Sequence, residues 1–99
     1  MVDIETAIYK HTDVIDVAVI GVADERLGER ALALLVLQPG ADPFELDGLV
    51  DFLLEGGLSK HFLPERLELV DELPKTASGK IKKAELRKLH PSFEPVEAG

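Results

Sequence analysis

The sequence predicts an α+β fold, a small three-stranded sheet flanked by helices, and three observations carry that prediction. Two apolar, β-branched runs, VIDVAVIGV (Val14–Val22) and ALALLVLQ (Ala31–Gln38), are separated by a connection short enough for an antiparallel pair. A helical pattern between Asp42 and Gly57 follows them, with start and stop signals at its two ends. Beyond Pro64, RLELV alternates Leu67 and Leu69 against Arg66 and Glu68, as a half-buried third strand would.

The elements can be justified in order. Asp3 is placed to cap a first helix by accepting the free N–H groups of its opening turn, and Ile4, Ala7 and Ile8 recur on one face as far as about His11. The run Val14–Val22 has an apolar side chain at nearly every position, which suits a strand covered on both faces. ADERLGER reads as a charged turn, and Pro39-Gly40 ends the second strand. Asp42-Pro43-Phe44-Glu45 reads as a capping box with Asp42 as N-cap and Pro43 at the first helical position. Leu46, Leu49, Val50 and Leu53 then share a helical face, stopped by Gly56-Gly57. KKAELRKLH, from Lys82 to His90, lacks a breaker and is rich in helix formers, so a short basic helix closes the fold. The expected domain is 3–90, with PSFEPVEAG (91–99) as a frayed tail.

At 99 residues the chain supports one core and no second one, so a large substrate pocket must be shared with another domain. It has no cysteine, which removes disulfides and thiolate metal sites and fits a cytoplasmic location. No apolar run approaches the length of a transmembrane segment, and the first residues lack the layout of a signal peptide. The net charge of −8 argues against a nucleic-acid partner, which would need a broad basic surface. That charge is unevenly spread: residues 75–88 carry +5, so the remainder carries −13. A basic segment on an acidic body points to an anion or an acidic docking surface.

The basic segment opens with LPKTASGKI (Leu73–Ile81). Gly79-Lys80 between a strand and a helix invites comparison with a P-loop, but Pro74 replaces its first glycine and Ile81 the hydroxyl residue that would hold magnesium. The chemistry remains suggestive. Pro74 restricts the start of the loop, Gly79 permits backbone shapes that other residues resist, and Lys80 carries a point charge on a long stem. On spacing alone, a solvated turn lysine and a lysine that steadies a phosphoryl or nucleotidyl anion both stay open.

The run Pro74-Lys75-Thr76-Ala77-Ser78-Gly79-Lys80-Ile81-Lys82-Lys83, with Leu86-Arg87, resembles the last core motif of the adenylate-forming (AMP-binding) enzymes, P-[KR]-T-x-[ST]-G-K-[IVL]-x-[RK]-x-x-L-[RK]. VIDVAVIGVADERLGER, with Gly28-Glu29, and FLPERLELVDELP extend the likeness from about Asp3 to Leu89, to the small C-terminal domain of an acyl-CoA synthetase, a fatty-acid or acyl-CoA ligase. The resemblance implies an enzyme that joins a fatty, cyclic or aryl carboxylic acid to ATP with Mg2+, releasing pyrophosphate, and passes the acyl group to coenzyme A. It implies that Lys80 is the catalytic lysine of adenylation, with Thr76, Ser78 and Gly79 forming the substrate and nucleotide loop. By the same resemblance the small domain rotates between two half-reactions against a large N-terminal domain, which holds the ATP and Mg2+ contacts. Its hinge normally lies just upstream of Val2-Asp3-Ile4-Glu5, so this chain reads as a piece that begins after it, inactive alone, with Met1 either native or added at the boundary. Lys80 also matches a family acetylation site, which makes a lysine acetyltransferase a further expected partner, since acetylation removes the charge.

The alternatives are an adenylation domain feeding a carrier protein, and a stand-alone interaction module that keeps the fold without catalysis. Phe62 stands where many relatives have a lysine, two residues before the proline matching Pro64. The remaining polar candidates have plainer readings. Ser78 lacks His and acid partners, His11, His61 and His90 have no metal-ligand spacing and suit surface or helix-end positions, and Asp24-Glu25 and Asp71-Glu72 suit solvated turns. No metal site is expected. The basic helix suits docking on the large domain, or a soluble face whose positive end complements the helix dipole.

Overall fold

In the computed structural model, which describes residues 4–24 and 28–90, a three-stranded mixed sheet carries helices on one face and a loop and helix on the other. The element order is α1 (Ile4–Tyr9), β1 (Val14–Asp24), β2 (Gly28–Leu37), α2 (Leu46–Glu55), β3 (Arg66–Leu69) and α3 (Lys83–Leu89), with a 3₁₀ turn at Lys60–Phe62. β1 and β2 pair antiparallel, as the short connection requires. β3 pairs parallel to β2, from Leu32 opposite Arg66 to Leu35 opposite Leu69, and α2 makes the crossover that a parallel pair needs. The spatial order is β1-β2-β3, so β1 and β3 are the edges.

The period-2 alternation of each strand sorts the apolar residues into two cores. On one face Val17, Ala33 and Leu35 are buried with Ile8 of α1 and Leu49 and Leu53 of α2. On the other, Ala18, Ile20, Val22, Leu32, Leu34 and Val36 are buried with Leu73 and Leu86. Coverage on both faces is why these strands read as continuous apolar runs. The register slips between Val14 and Asp16, leaving Ile15 exposed. That bulge puts Val14 with Val17 in the helix-side core while Asp16 faces the loop side together with Ala18.

Several boundaries differ from expectation for identifiable reasons. The strands of the hairpin run beyond their apolar stretches: Glu29 and Arg30, expected in a charged turn, belong to β2. Gly21 makes this possible, because a β-carbon there would collide with the Glu29 carboxylate. Arg30 is balanced by Glu65, with Nε 3.3 Å from Oε1. α1 ends at Tyr9 rather than near His11, and Asp3 lies outside the described residues.

α2 starts at Leu46, after an extended Glu45, and not at Pro43; Asp42 is exposed and is not its cap. The reason is Phe44, whose ring stacks on His11 at 4.9 Å and packs against the helix-side core, holding the preceding residues out of helical conformation. The stop at Gly56-Gly57 is as expected. Gly57 takes φ +93°, and the N–H groups of Gly57 and Leu58 return to the carbonyls of Leu54 and Leu53. Leu69, expected inside, is exposed at the end of β3, and Val70 packs against the loop-side core instead. The expected frayed tail, 91–99, lies outside the described residues.

Candidate functional site

The segment read as a loop, Pro74–Lys82, is a small closed hairpin on the side of the sheet opposite α1 and α2. Leu73 and Leu86 are buried in the loop-side core, with Ile81 packed partly against it, so both ends of the segment are anchored. Between the anchors Lys75 bridges to Ile81, Thr76 N–H donates to Lys80 O at 2.7 Å, and Lys82 N–H donates to Pro74 O at 2.8 Å. At the tip Gly79 N–H donates to Thr76 O at 2.9 Å, closing a four-residue turn.

Each residue singled out from the sequence has a defined place here. Gly79 sits at φ +91°, a conformation that L side chains resist and glycine adopts freely. Thr76 Oγ1 accepts the Lys80 backbone N–H at 3.1 Å and lies 3.0 Å from Ser78 Oγ, so the two hydroxyls brace the turn from within. Ser78 has no His or acid beside it among the described hydrogen bonds, which leaves it a bracing hydroxyl. Lys80 is exposed, and among the described residues its ammonium has no ion-pair partner.

The flanking lysines are different. Lys75 Nζ lies 2.7 Å from Asp16 Oδ2 on β1, and its hydrogen bond to that carboxylate holds the Lys75 pKa above the ordinary lysine value. Lys83 Nζ, at the start of α3, lies 2.8 Å from Glu5 Oε2 of α1. That same oxygen accepts the Val19 N–H of the edge strand at 2.8 Å. Neither acid was singled out from the sequence, and no local pattern would have found them, because each pair closes over a long stretch of chain.

The histidines stand apart from this hairpin. His11 is half-buried between the rings of Phe44 and Phe52, and its Nδ1 accepts the Asp13 N–H at 3.1 Å. His90, at the end of α3, has Nδ1 3.5 Å from Glu68 Oε2, and His61 is exposed in the 3₁₀ turn. Asp71 and Glu72 are exposed, as expected; Glu25 and the Asp24 side chain lie outside the described residues. Phe62, 52% exposed, lines an open groove of about 610 Å³ with Gly21, Glu29, Lys60 and Pro64. Among the described residues no three His, Asp or Glu side chains converge as metal ligands would, and no helix is long and apolar enough to cross a membrane.

A braced hairpin that holds out Lys80 and Lys82, neither with an ion-pair partner among the described residues, beside a basic helix gathers positive charge on one exposed surface of the domain. The family comparison agrees: residues 3–80 match the AMP-binding enzyme C-terminal domain, and the chain belongs to that family. It is 38% identical over 86 residues to the vibriobactin-specific 2,3-dihydroxybenzoate-AMP ligase of Vibrio cholerae, covering 87% of this chain and 16% of that protein. To the medium-chain fatty-acid–CoA ligase of Escherichia coli it is 36% identical over 86 residues, covering 87% of this chain and 15% of that one. Among solved structures it superposes on the acyl-CoA synthetase of Brucella canis with a TM-score of 0.81 at 38% identity, covering 89% of this chain and 16% of that chain. The chain thus spans about a sixth of the length of the relatives it matches.

Proposed function

We propose that residues 3–90 are the catalytic lid domain of an ATP-dependent acyl-CoA synthetase and that Lys80 drives its adenylation half-reaction. The observation that supports this most directly is the exposed Lys80 ammonium, without an ion-pair partner among the described residues, on a hairpin closed by backbone hydrogen bonds. In adenylation a substrate carboxylate oxygen attacks the α-phosphorus of ATP, the bond to the bridging oxygen of the β-phosphate breaks, and pyrophosphate leaves with that electron pair. Negative charge grows on the non-bridging α-phosphate oxygens as the new bond forms. A lysine brought there by a closing lid stabilises that charge more than it stabilises the ground state, and exclusion of water strengthens the effect.

On this reading the large N-terminal domain supplies the acid pocket, the adenosine contacts and the Mg2+ ligands. The exposed basic side chains of α3, Arg87 and Lys88, dock on that domain. The acyl-AMP is then attacked by the thiol of coenzyme A, giving thioester and AMP, in the cytoplasm. Acetylation of Lys80 would remove the charge used in the first step, which peptide mass spectrometry combined with the exchange assay reads directly. A second reading, an adenylation domain feeding a carrier protein, draws support from the likeness to a relative named as a 2,3-dihydroxybenzoate-AMP ligase rather than a CoA ligase.

The test is carboxylate-dependent ATP–pyrophosphate exchange by the full-length protein, wild type beside Lys80→Ala, with thioester formation from pre-made acyl-AMP run in parallel. Exchange should fall about 10²- to 10³-fold, the scale for removing one charge-stabilising donor, while the second half-reaction persists. If both half-reactions survive the substitution, Lys80 is only a surface lysine.

A further inference from the structure

The hairpin and the first residue of α3 carry four lysines, Lys75, Lys80, Lys82 and Lys83, and the fold treats them unequally. The two at its flanks are paired, to Asp16 and Glu5, and the two between them have no ion-pair partner among the described residues. Both acids are at the β1 edge of the sheet, Asp16 on the strand itself and Glu5 fixed to it through the Val19 N–H. Asp16 and Val19 are three residues apart, so the two attachments are spaced about 10 Å along the edge at the usual rise of a strand.

This spacing matters because of what the apolar anchors cannot do. Leu73 and Leu86, with Ile81 partly packed beside them, hold the base of the hairpin against the sheet, which leaves a line of apolar contact about which the exposed tip can still rock. Rocking would move the exposed tip, and Lys80 with it, by the largest amount. Two attachments displaced sideways from that line, at the edge strand, remove the remaining freedom. Half-exposed ion pairs of this kind add little to overall stability, and their contribution here is angular.

We infer that the Lys75–Asp16 and Lys83–Glu5 ion pairs form a latch that sets the angle of the Lys80 hairpin, which makes Asp16 and Glu5 positioning residues for Lys80. The bulge at Ile15 serves the same arrangement, because it turns Asp16 toward the hairpin while keeping Val14 in the opposite core. Pairing also neutralises Lys75 and Lys83, so that an approaching anion meets Lys80 and Lys82 in preference to the flanking lysines. The catalytic half of this inference rests on the adenylation reading above; the mechanical half does not.

The experiment uses the full-length protein with Asp16→Asn, Glu5→Gln and the swapped pair Asp16→Lys with Lys75→Asp. Glu5→Gln keeps an oxygen for the Val19 N–H and removes only the pairing with Lys83. Three quantities are read: pyrophosphate exchange, thioester formation from pre-made acyl-AMP, and hydrogen exchange of the peptide 73–83 by mass spectrometry. In both single variants the peptide should exchange faster, and adenylation should slow by up to about 100-fold, the scale for angstrom-level misplacement of a catalytic group. The thioester step should hold, and the swapped pair should recover both losses.

Unchanged protection of 73–83 in Asp16→Asn and Glu5→Gln would overturn the latch. So would equal loss of both half-reactions without recovery in the swapped pair, the pattern of a general folding defect. Lys80→Ala alongside separates the two levels. Loss of exchange in Lys80→Ala with none in Asp16→Asn or Glu5→Gln sinks the positioning role alone. Full exchange in Lys80→Ala sinks the adenylation reading, and a loosened hairpin in Asp16→Asn then supports the latch as mechanics only.

Discussion

On the helix side of the sheet, α1 and α2 bury Ile8, Leu49 and Leu53 completely against Val17, Ala33 and Leu35; on the loop side, among the described residues, only Leu73 and Leu86 are buried against the strands from outside the sheet. The first covering is broad and apolar, and α2 turns Asp47, Asp51 and Glu55 to solvent. The second is sparse and basic, and it is completed by backbone hydrogen bonds and ion pairs to the edge strand. The difference teaches a division of labour. Apolar burial, which is strong and non-directional, holds the domain together on one face. Directional bonds, individually weak, orient the side chain that the other face presents.

The comparison is broken most easily by weakening the strong side. Leu53→Ala removes a fully buried side chain that packs α2 to the sheet, and it should cost about 2–5 kcal/mol in urea unfolding monitored by circular dichroism. A loss below about 0.5 kcal/mol, the range of ordinary surface substitutions, would show that the helix face is not the main source of stability.

A smaller effect is expected at the tip of the hairpin. A β-carbon at Gly79 meets nothing, so Gly79→Ala tests backbone conformation alone, at φ +91°. It should cost about 1–2 kcal/mol. If the turn resists this cost its stability falls by that amount; if it relaxes instead, nuclear magnetic resonance should show the Thr76 and Lys80 amides shifted while the helix-side core stays unchanged. An unchanged unfolding midpoint with unshifted amides would contradict the strained-turn account.

The smallest effect concerns Lys75. Its hydrogen bond to Asp16 raises its pKa in the folded state above the ordinary 10.5. The pairing therefore contributes in full below pH 10.5 and is lost as pH rises through the higher folded value. The stability difference between wild type and Asp16→Asn should be constant from neutral pH to about 10 and shrink above it, read from paired urea titrations. A difference that instead disappears below pH 10 would assign the effect of Asp16 to something other than Lys75.

What could be read from the sequence was whatever is encoded locally. Val14–Val22 and Ala31–Gln38 announced themselves by composition, the Leu46–Leu53 face by its period, and its end by Gly56-Gly57. The hairpin was legible as a motif and Gly79 as the position that permits its backbone shape, whereas the hydrogen bonds by which the Thr76 and Ser78 hydroxyls brace the turn were not. Three features were hidden because their causes lie far off in the chain. Glu29 and Arg30 look like turn residues until Gly21 is seen making room across the strand and Glu65 balancing the charge. Asp42 looks like a helix cap until Phe44 is found against His11. Glu5 and Asp16 look like surface acids, and only the folded sheet edge brings them to Lys83 and Lys75.

The edge strand itself carries a consequence for behaviour in concentrated solution. An exposed β edge is a template on which another chain can add a strand. Along β1 the Val17 N–H donates to Tyr9 Oη at 3.4 Å and the Val19 N–H to the Glu5 carboxylate. A foreign strand that approached this edge would find those two donors already taken and a half-buried carboxylate in its path. Self-association through β1 is thereby disfavoured, so the domain can expose this edge to solvent without becoming a seed for aggregation.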